Sequence, residues 1–178
     1  LELYRKIQQA AATPTQAEMK TVSQTTISPV SEPVLKSKLH IPISRDVKVH
    51  RERLIKQLNG IKDHALTILS APAGFGKTTT LAEWTLSSPL AVGWVSLDKE
   101  DNDPVRFLSY LVSACDCIEN GTGTDALKYL HSGQQIPFTV VLISLLHDLE
   151  TVQFHSVLVL DDYQFIENQS IHQAVVYL

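Results

Sequence analysis

The sequence predicts an α/β domain in which helices cover a parallel sheet on both faces. Three observations carry this expectation. Short apolar runs alternate with segments of helical periodicity, a Gly-rich turn joins one run to a helix, and a later run ends in two consecutive aspartates. Parallel strands need crossover connections, and helices in those crossovers come to lie on the sheet faces.

The chain has 178 residues and begins at Leu1 rather than methionine, so a trimmed start or a start inside a longer protein is expected. Leu1 to Ala12 reads as a short helix. Thr13 to Pro33 is dominated by Thr, Ser, Gln and Pro and reads as a linker that buries little. Residues 1–33 are therefore assigned to a flexible tail and 34–178 to a folded domain, with packing from about Leu35. Arg51 to Leu58 has helical spacing, with Leu54, Ile55 and Leu58 on one face and Asn59-Gly60 as the stop. Ala65 to Ser70 (A-L-T-I-L-S) is expected as a strand, followed by a helix from Lys77 to about Leu86. Ala91 to Leu97 is a second strand. Pro104 opens the next helix in the first turn, where its missing N–H costs nothing, and Phe107, Leu108, Leu111, Val112 and Cys115 continue it. Asn120 to Gln135, rich in Gly and polar residues, reads as a loop holding a short helix. Phe138 to Leu149 is apolar almost all round, and burial on more than one side is expected. Ser156 to Leu160 forms the third strand.

Bulk properties narrow the function classes. With 44% apolar residues the chain can bury a core, and a formal charge of -4 excludes a broad basic surface for nucleic acid. No run of about 18 apolar residues exists. Leu1 to Gln9 lacks the apolar region of a signal peptide. A cytoplasmic setting is expected. Cys115 and Cys117, two apart on a helix, face different ways and read as reduced thiols. The seven histidines are scattered without metal-ligand spacing.

The chemistry concentrates in Ala71-Pro72-Ala73-Gly74-Phe75-Gly76-Lys77-Thr78-Thr79. A Gly-rich turn between a strand and a helix lets backbone N–H groups converge on an anion, because a Cβ at Gly74 or Gly76 would block the curve. The helix that follows aims its positive dipole end at the same point. Ala73 through Thr79 are the expected phosphate contacts. Lys77 would reach the β- and γ-phosphates, and Thr78 would ligate magnesium. The usual first glycine of the motif is Ala71 here, which requires a negative φ at that residue. The apolar run V-L-V-L leading to Asp161-Asp162 is the partner element: a buried strand delivering a carboxylate to the same sheet end. Asp161 would hold magnesium with Thr78, and Asp162 would act as the base that orients or deprotonates water. The expected cofactors are ATP or ADP with magnesium. Asp98, Asp101 and Asp103 could also face the magnesium or the water, but an N-cap at Asp103 with solvated carboxylates before it is the favoured reading.

These residues resemble the STAND class of P-loop ATPases, most closely the MalT-like branch of large LuxR-type transcription regulators. The resemblance runs from about Leu35 to the end. It rests on Lys38-Leu39, Pro42, Arg45 and Val49 to Leu54; on Leu69 to Thr79 and Trp84; on Gly93 to Asp98 with Asp101-Asn102-Asp103-Pro104 and Phe107; and on Leu160 to Tyr163. It implies a three-layer P-loop NTPase with a parallel sheet, truncated after the Walker B strand and preceded by the tail. It implies a weak ATPase used as a switch, with ATP favouring self-association of the full protein. It makes Val49 and Arg51 candidate adenine contacts. An inducer-sensing domain and a DNA-binding C-terminal helix-turn-helix would lie outside this sequence, and no membrane partner is implied. The third-strand sensor arginine usual in the class is missing. Two alternatives stay open: a P-loop phosphotransferase acting on a small molecule, and a nucleotide-binding interaction module without turnover. Asn120 to Gln135 contains no arginine for a substrate lid, which counts against the first.

Overall fold

A computed structural model of the chain describes residues 26–27, 34–43, 51–132 and 136–178. Val49, the expected helix of Leu1 to Ala12 and most of the tail lie outside these residues. Within the tail, Thr26–Ile27 form a two-residue strand β1 that pairs antiparallel with β3, Ile136–Pro137.

The central sheet is β2, Ala91–Ser96, paired in parallel with β4, Ser156–Asp161. Ala91 lies opposite Ser156 and Ser96 opposite Asp161, so both strands end together. The helices are α1, Glu52–Leu58; α2, Lys77–Ser87; α3, Pro104–Ile118; α4, Thr124–His131; α5, Phe138–Thr151; and α6, Gln169–Tyr177. The chain is mixed α/β with a parallel sheet, as expected. The helix inside the polar stretch 120–135 is α4.

Side chains alternate across the strands, and apolar residues are buried on both sheet faces. One cluster gathers Val95 and Leu97 with residues of α3, α4, α5 and α6. The other joins Trp94 and Val159 to Ala82 of α2. Trp84 on α2 is also buried, and its indole N–H donates to Asn59 Oδ1 at 3.1 Å, tying α2 to the end of α1. Helix α3 lies so close to β2 that a Cβ on Gly93 would meet the Ala114 carbonyl oxygen at 2.7 Å and Ile118 Cδ1 at 2.9 Å. A backbone oxygen cannot swing aside as a side chain can. Gly93→Ala is therefore expected to destabilise the domain by about 1–3 kcal/mol through overpacking, read as a lower thermal midpoint. An unchanged midpoint would contradict the close approach.

Two expectations are corrected. Residues 65–70 do not form a strand. Residues 65–69 line an open cleft of about 620 Å³ together with Val157, Leu158 and Val159 of β4. A strand exists only where a neighbour completes its hydrogen-bond ladder, and no strand among the described residues reaches this segment. Helix α5 is buried on one side only: Phe138, Val141, Leu142 and Leu145 are fully buried, whereas Val140 and Ile143 are exposed. Cys115 is buried and Cys117 exposed, both as free thiols, and burial pushes the Cys115 thiol up to about 12. No helix among the described residues is long and apolar enough to cross a membrane.

Candidate functional site

The Gly-rich turn keeps its expected backbone. Gly74 and Gly76 have φ of 79° and 75°, in the left-handed region open to glycine. Ala71 meets its requirement, since Asp162 is the one non-glycine with positive φ among the described residues. Gly76 is the N-cap of α2, so the first-turn amides of Lys77, Thr78 and Thr79 have no carbonyl one turn earlier in the helix. Ala73, Gly74, Phe75 and Thr79 are exposed, while Lys77 and Thr78 are half-buried. The Lys77 ammonium donates to the Ala71 carbonyl at 2.8 Å and the Pro72 carbonyl at 3.4 Å, which holds it across the turn.

The turn meets the tip of β4. Thr78 Oγ1 donates to Asp161 Oδ1 at 3.0 Å, across 83 residues of sequence. Asp161 is buried, and its backbone oxygen accepts from Leu97 N at 3.0 Å, which ties the ends of β2 and β4. Burial lifts the Asp161 carboxyl above its ordinary range and the Asp162 charge adds to this, while the Thr78 hydroxyl and Lys77 oppose it. A buried carboxylate next to a hydroxyl is a pair of hard oxygen donors, the chemistry that magnesium takes. The next residue, Asp162, turns out of the strand at φ 57° and ψ 30°. Its Oδ1 accepts from Gln164 Nε2 at 2.7 Å. Sequence reading missed this amide, because a side-chain contact two residues away depends on the left-handed turn between them.

Arg51 lies against the Gly-rich turn. Its Nη1 donates to the Phe75 carbonyl at 2.6 Å, and its guanidinium covers Gly76.

The acids after β2 are engaged apart from this pair. Asp98 caps the 3-10 turn Lys99–Asn102 by accepting from Glu100 N at 2.9 Å, and Asp103 caps α3 by accepting from Val105 N and Arg106 N. The cap at Asp103 is as expected. Asp101 is not a solvated carboxylate. It is fully buried, with Lys38 Nζ at 2.6 Å on Oδ2, Arg106 Nε at 3.0 Å on Oδ1, and the Asp98 amide at 2.8 Å. Lys38 also lies 2.6 Å from Asp98 Oδ2 and 5.0 Å from the Tyr110 ring centre. Asn102 Oδ1 accepts from Glu167 N and Asn168 N, joining this turn to the segment after β4. The Asp–Asn–Asp–Pro motif thus knits three chain segments together.

This cluster gives the domain a pH signature. Burial, the largest influence, pushes the Asp98 carboxyl up, but the Lys38 ammonium and the amides of Glu100 and Asp101 bring it below its ordinary value. Burial pulls Lys38 down, and the Asp101 and Asp98 carboxylates outweigh it. A depressed acid adds stability above its unfolded pKa and loses it as pH falls through the folded value. A raised base adds stability below its unfolded pKa and loses it as pH rises through the folded one. Stability should therefore decline below pH ~4 and above pH ~10. Lys38→Met should flatten the acid-side decline in thermal midpoint, and superimposable profiles would contradict the pairing.

No family model matches the chain. It is 35% identical over 144 residues to the HTH-type transcriptional regulator MalT of Yersinia enterocolitica, a match that covers 80% of this chain and 16% of that relative. It is 34% identical over 142 residues to the HTH-type transcriptional regulator MalT of Cronobacter sakazakii, again 80% and 16%. The chain spans about 16% of the length of the curated relatives it matches. On this likeness it is a MalT-like segment of the LuxR-type regulator family.

Proposed function

We propose that the chain is the ATP-binding, slowly hydrolysing switch portion of a MalT-like transcriptional regulator. The observation that carries this reading is the 3.0 Å hydrogen bond from Thr78 to Asp161, which joins the start of a Gly-capped helix to the acidic end of a buried strand. The fold proposed is a three-layer P-loop NTPase fold over residues 34–178, and the setting is cytoplasmic.

In the mechanism, the amides of Ala73 to Thr79 and the ammonium of Lys77 bind the triphosphate. The α2 N-terminus adds its positive end. Thr78 and Asp161 would hold magnesium, which would supply positive charge to offset that of the triphosphate. Asp162 orients the attacking water and accepts its proton. Turnover is slow, and the bound nucleotide state is the signal. Inducer sensing, ATP-dependent self-association and DNA binding through a helix-turn-helix belong to the rest of the regulator.

The test is Asp162→Ala. Nucleotide affinity should stay within about twofold while single-turnover phosphate release slows by about 10²-fold or more. Equal turnover in variant and parent would remove Asp162 from this role, and a parent that binds no nucleotide would refute the function.

A further inference from the structure

Arg51 precedes α1 and is exposed, yet its guanidinium is docked on the Gly-rich turn. Nη1 donates to the Phe75 carbonyl oxygen at 2.6 Å. Both terminal nitrogens lie 3.6 Å from the point where a Cβ on Gly76 would stand. The described peptide bonds are all trans. In a trans peptide the C=O of one residue and the N–H of the next point in opposite directions within one plane. A charged donor fixed on the Phe75 oxygen therefore turns the Gly76 N–H away from Arg51. It also polarises that N–H, because hydrogen bonds in series strengthen one another. Glycine at this position leaves the peptide plane free to rotate, so an external restraint on its orientation has an effect that a side chain would otherwise supply.

We propose that Arg51 is a positioning residue for the phosphate loop: it fixes the Phe75–Gly76 peptide so that the Gly76 N–H faces a polyphosphate, and it is not a contact to the base. This rests on the reading of the turn as a triphosphate site and adds a residue to it. The cation also lowers the cost of gathering negative charge at the turn. The preference it creates is for the polyphosphate part of the ligand.

The experiment compares ATP with inorganic tripolyphosphate, which has no base, each with magnesium, on the parent chain, Arg51→Ala and Arg51→Lys. Arg51→Ala should weaken both ligands by the same factor, on the order of tenfold, as loss of one charge-assisted hydrogen bond implies. Arg51→Lys, which can donate to the same carbonyl, should recover most of that loss. The thermal midpoint of Arg51→Ala should match the parent, and if that variant does not fold, Arg51→Gln supplies the same comparison. A loss confined to ATP, with tripolyphosphate affinity unchanged, would make Arg51 a base contact and overturn the proposal. Indifference of both ligands to Arg51→Ala would also overturn it while leaving the triphosphate site intact. A parent chain that binds neither ligand would refute the underlying site instead.

Discussion

Lys77→Ala is expected to lower ATP affinity by about 10²-fold or more, the largest binding effect of any single substitution in the site. The ammonium is half-buried at the first residue of α2 and is held across the turn by the Ala71 and Pro72 carbonyls. Its position is thus set before a ligand arrives, and little side-chain entropy remains to be lost on binding. Removing it leaves the backbone amides and the helix end to face a triphosphate without a full positive charge among them. A fluorescent-nucleotide titration reads the change, with circular dichroism to show that the variant folds. Affinity equal to that of the parent would contradict the assignment of residues 71–79 to phosphate binding. Because Lys77 touches carbonyls of its own turn, some loss of stability should accompany the substitution, but far less than the loss of affinity.

Asp101→Ala is expected to have the largest effect on stability, about 3–5 kcal/mol. The carboxylate is fully buried and faces two cations, Lys38 and Arg106. Its loss leaves Lys38, whose side chain is 13% exposed, paired with Asp98 alone. The Asp98 amide loses an acceptor at the same time. The cost lies mainly in what is stranded, so it should shrink when the stranded charge is also removed. The double variant Asp101→Ala with Lys38→Met should recover part of the loss, which a double-mutant cycle measures. For a domain of this size the single variant should melt on the order of 10 °C lower. A midpoint within a degree of the parent would show that the cluster contributes nothing. The same variant separates the two roles considered for these acids, since a structural Asp101 changes the midpoint whether or not nucleotide is present.

The two effects belong to different parts of one sheet edge. Ser96 of β2 is level with Asp161 of β4, and the Asp98–Asp103 turn follows directly from β2. Asp161 joins the glycine turn through Thr78, while Asp101 joins the segment at residues 36–39 through Lys38. The cluster at Asp101 therefore braces the strand end beside the one that carries the proposed magnesium ligand.

Local chemistry was readable from the residues themselves. Gly74 and Gly76 had to let the backbone curve tightly, Pro104 and Asp103 had to start a helix, and the apolar runs at 91–97 and 156–160 had to be strands. Each of those features is fixed by a residue and its near neighbours in sequence, so spacing reveals it. The meeting of Thr78 with Asp161 was also foreseeable, because the two motifs were expected to converge at one sheet end. What only the tertiary structure decided is where long side chains and strand edges find partners. Residues 65–70 are as apolar as a strand should be, yet they stay unpaired, because a ladder depends on a neighbour that their own sequence does not specify. Lys38 reaches Asp101 across 63 residues, and Arg51 reaches Phe75 across 24. A flexible charged side chain can satisfy its charge in many places, and burial of one carboxylate or the course of one turn selects among them.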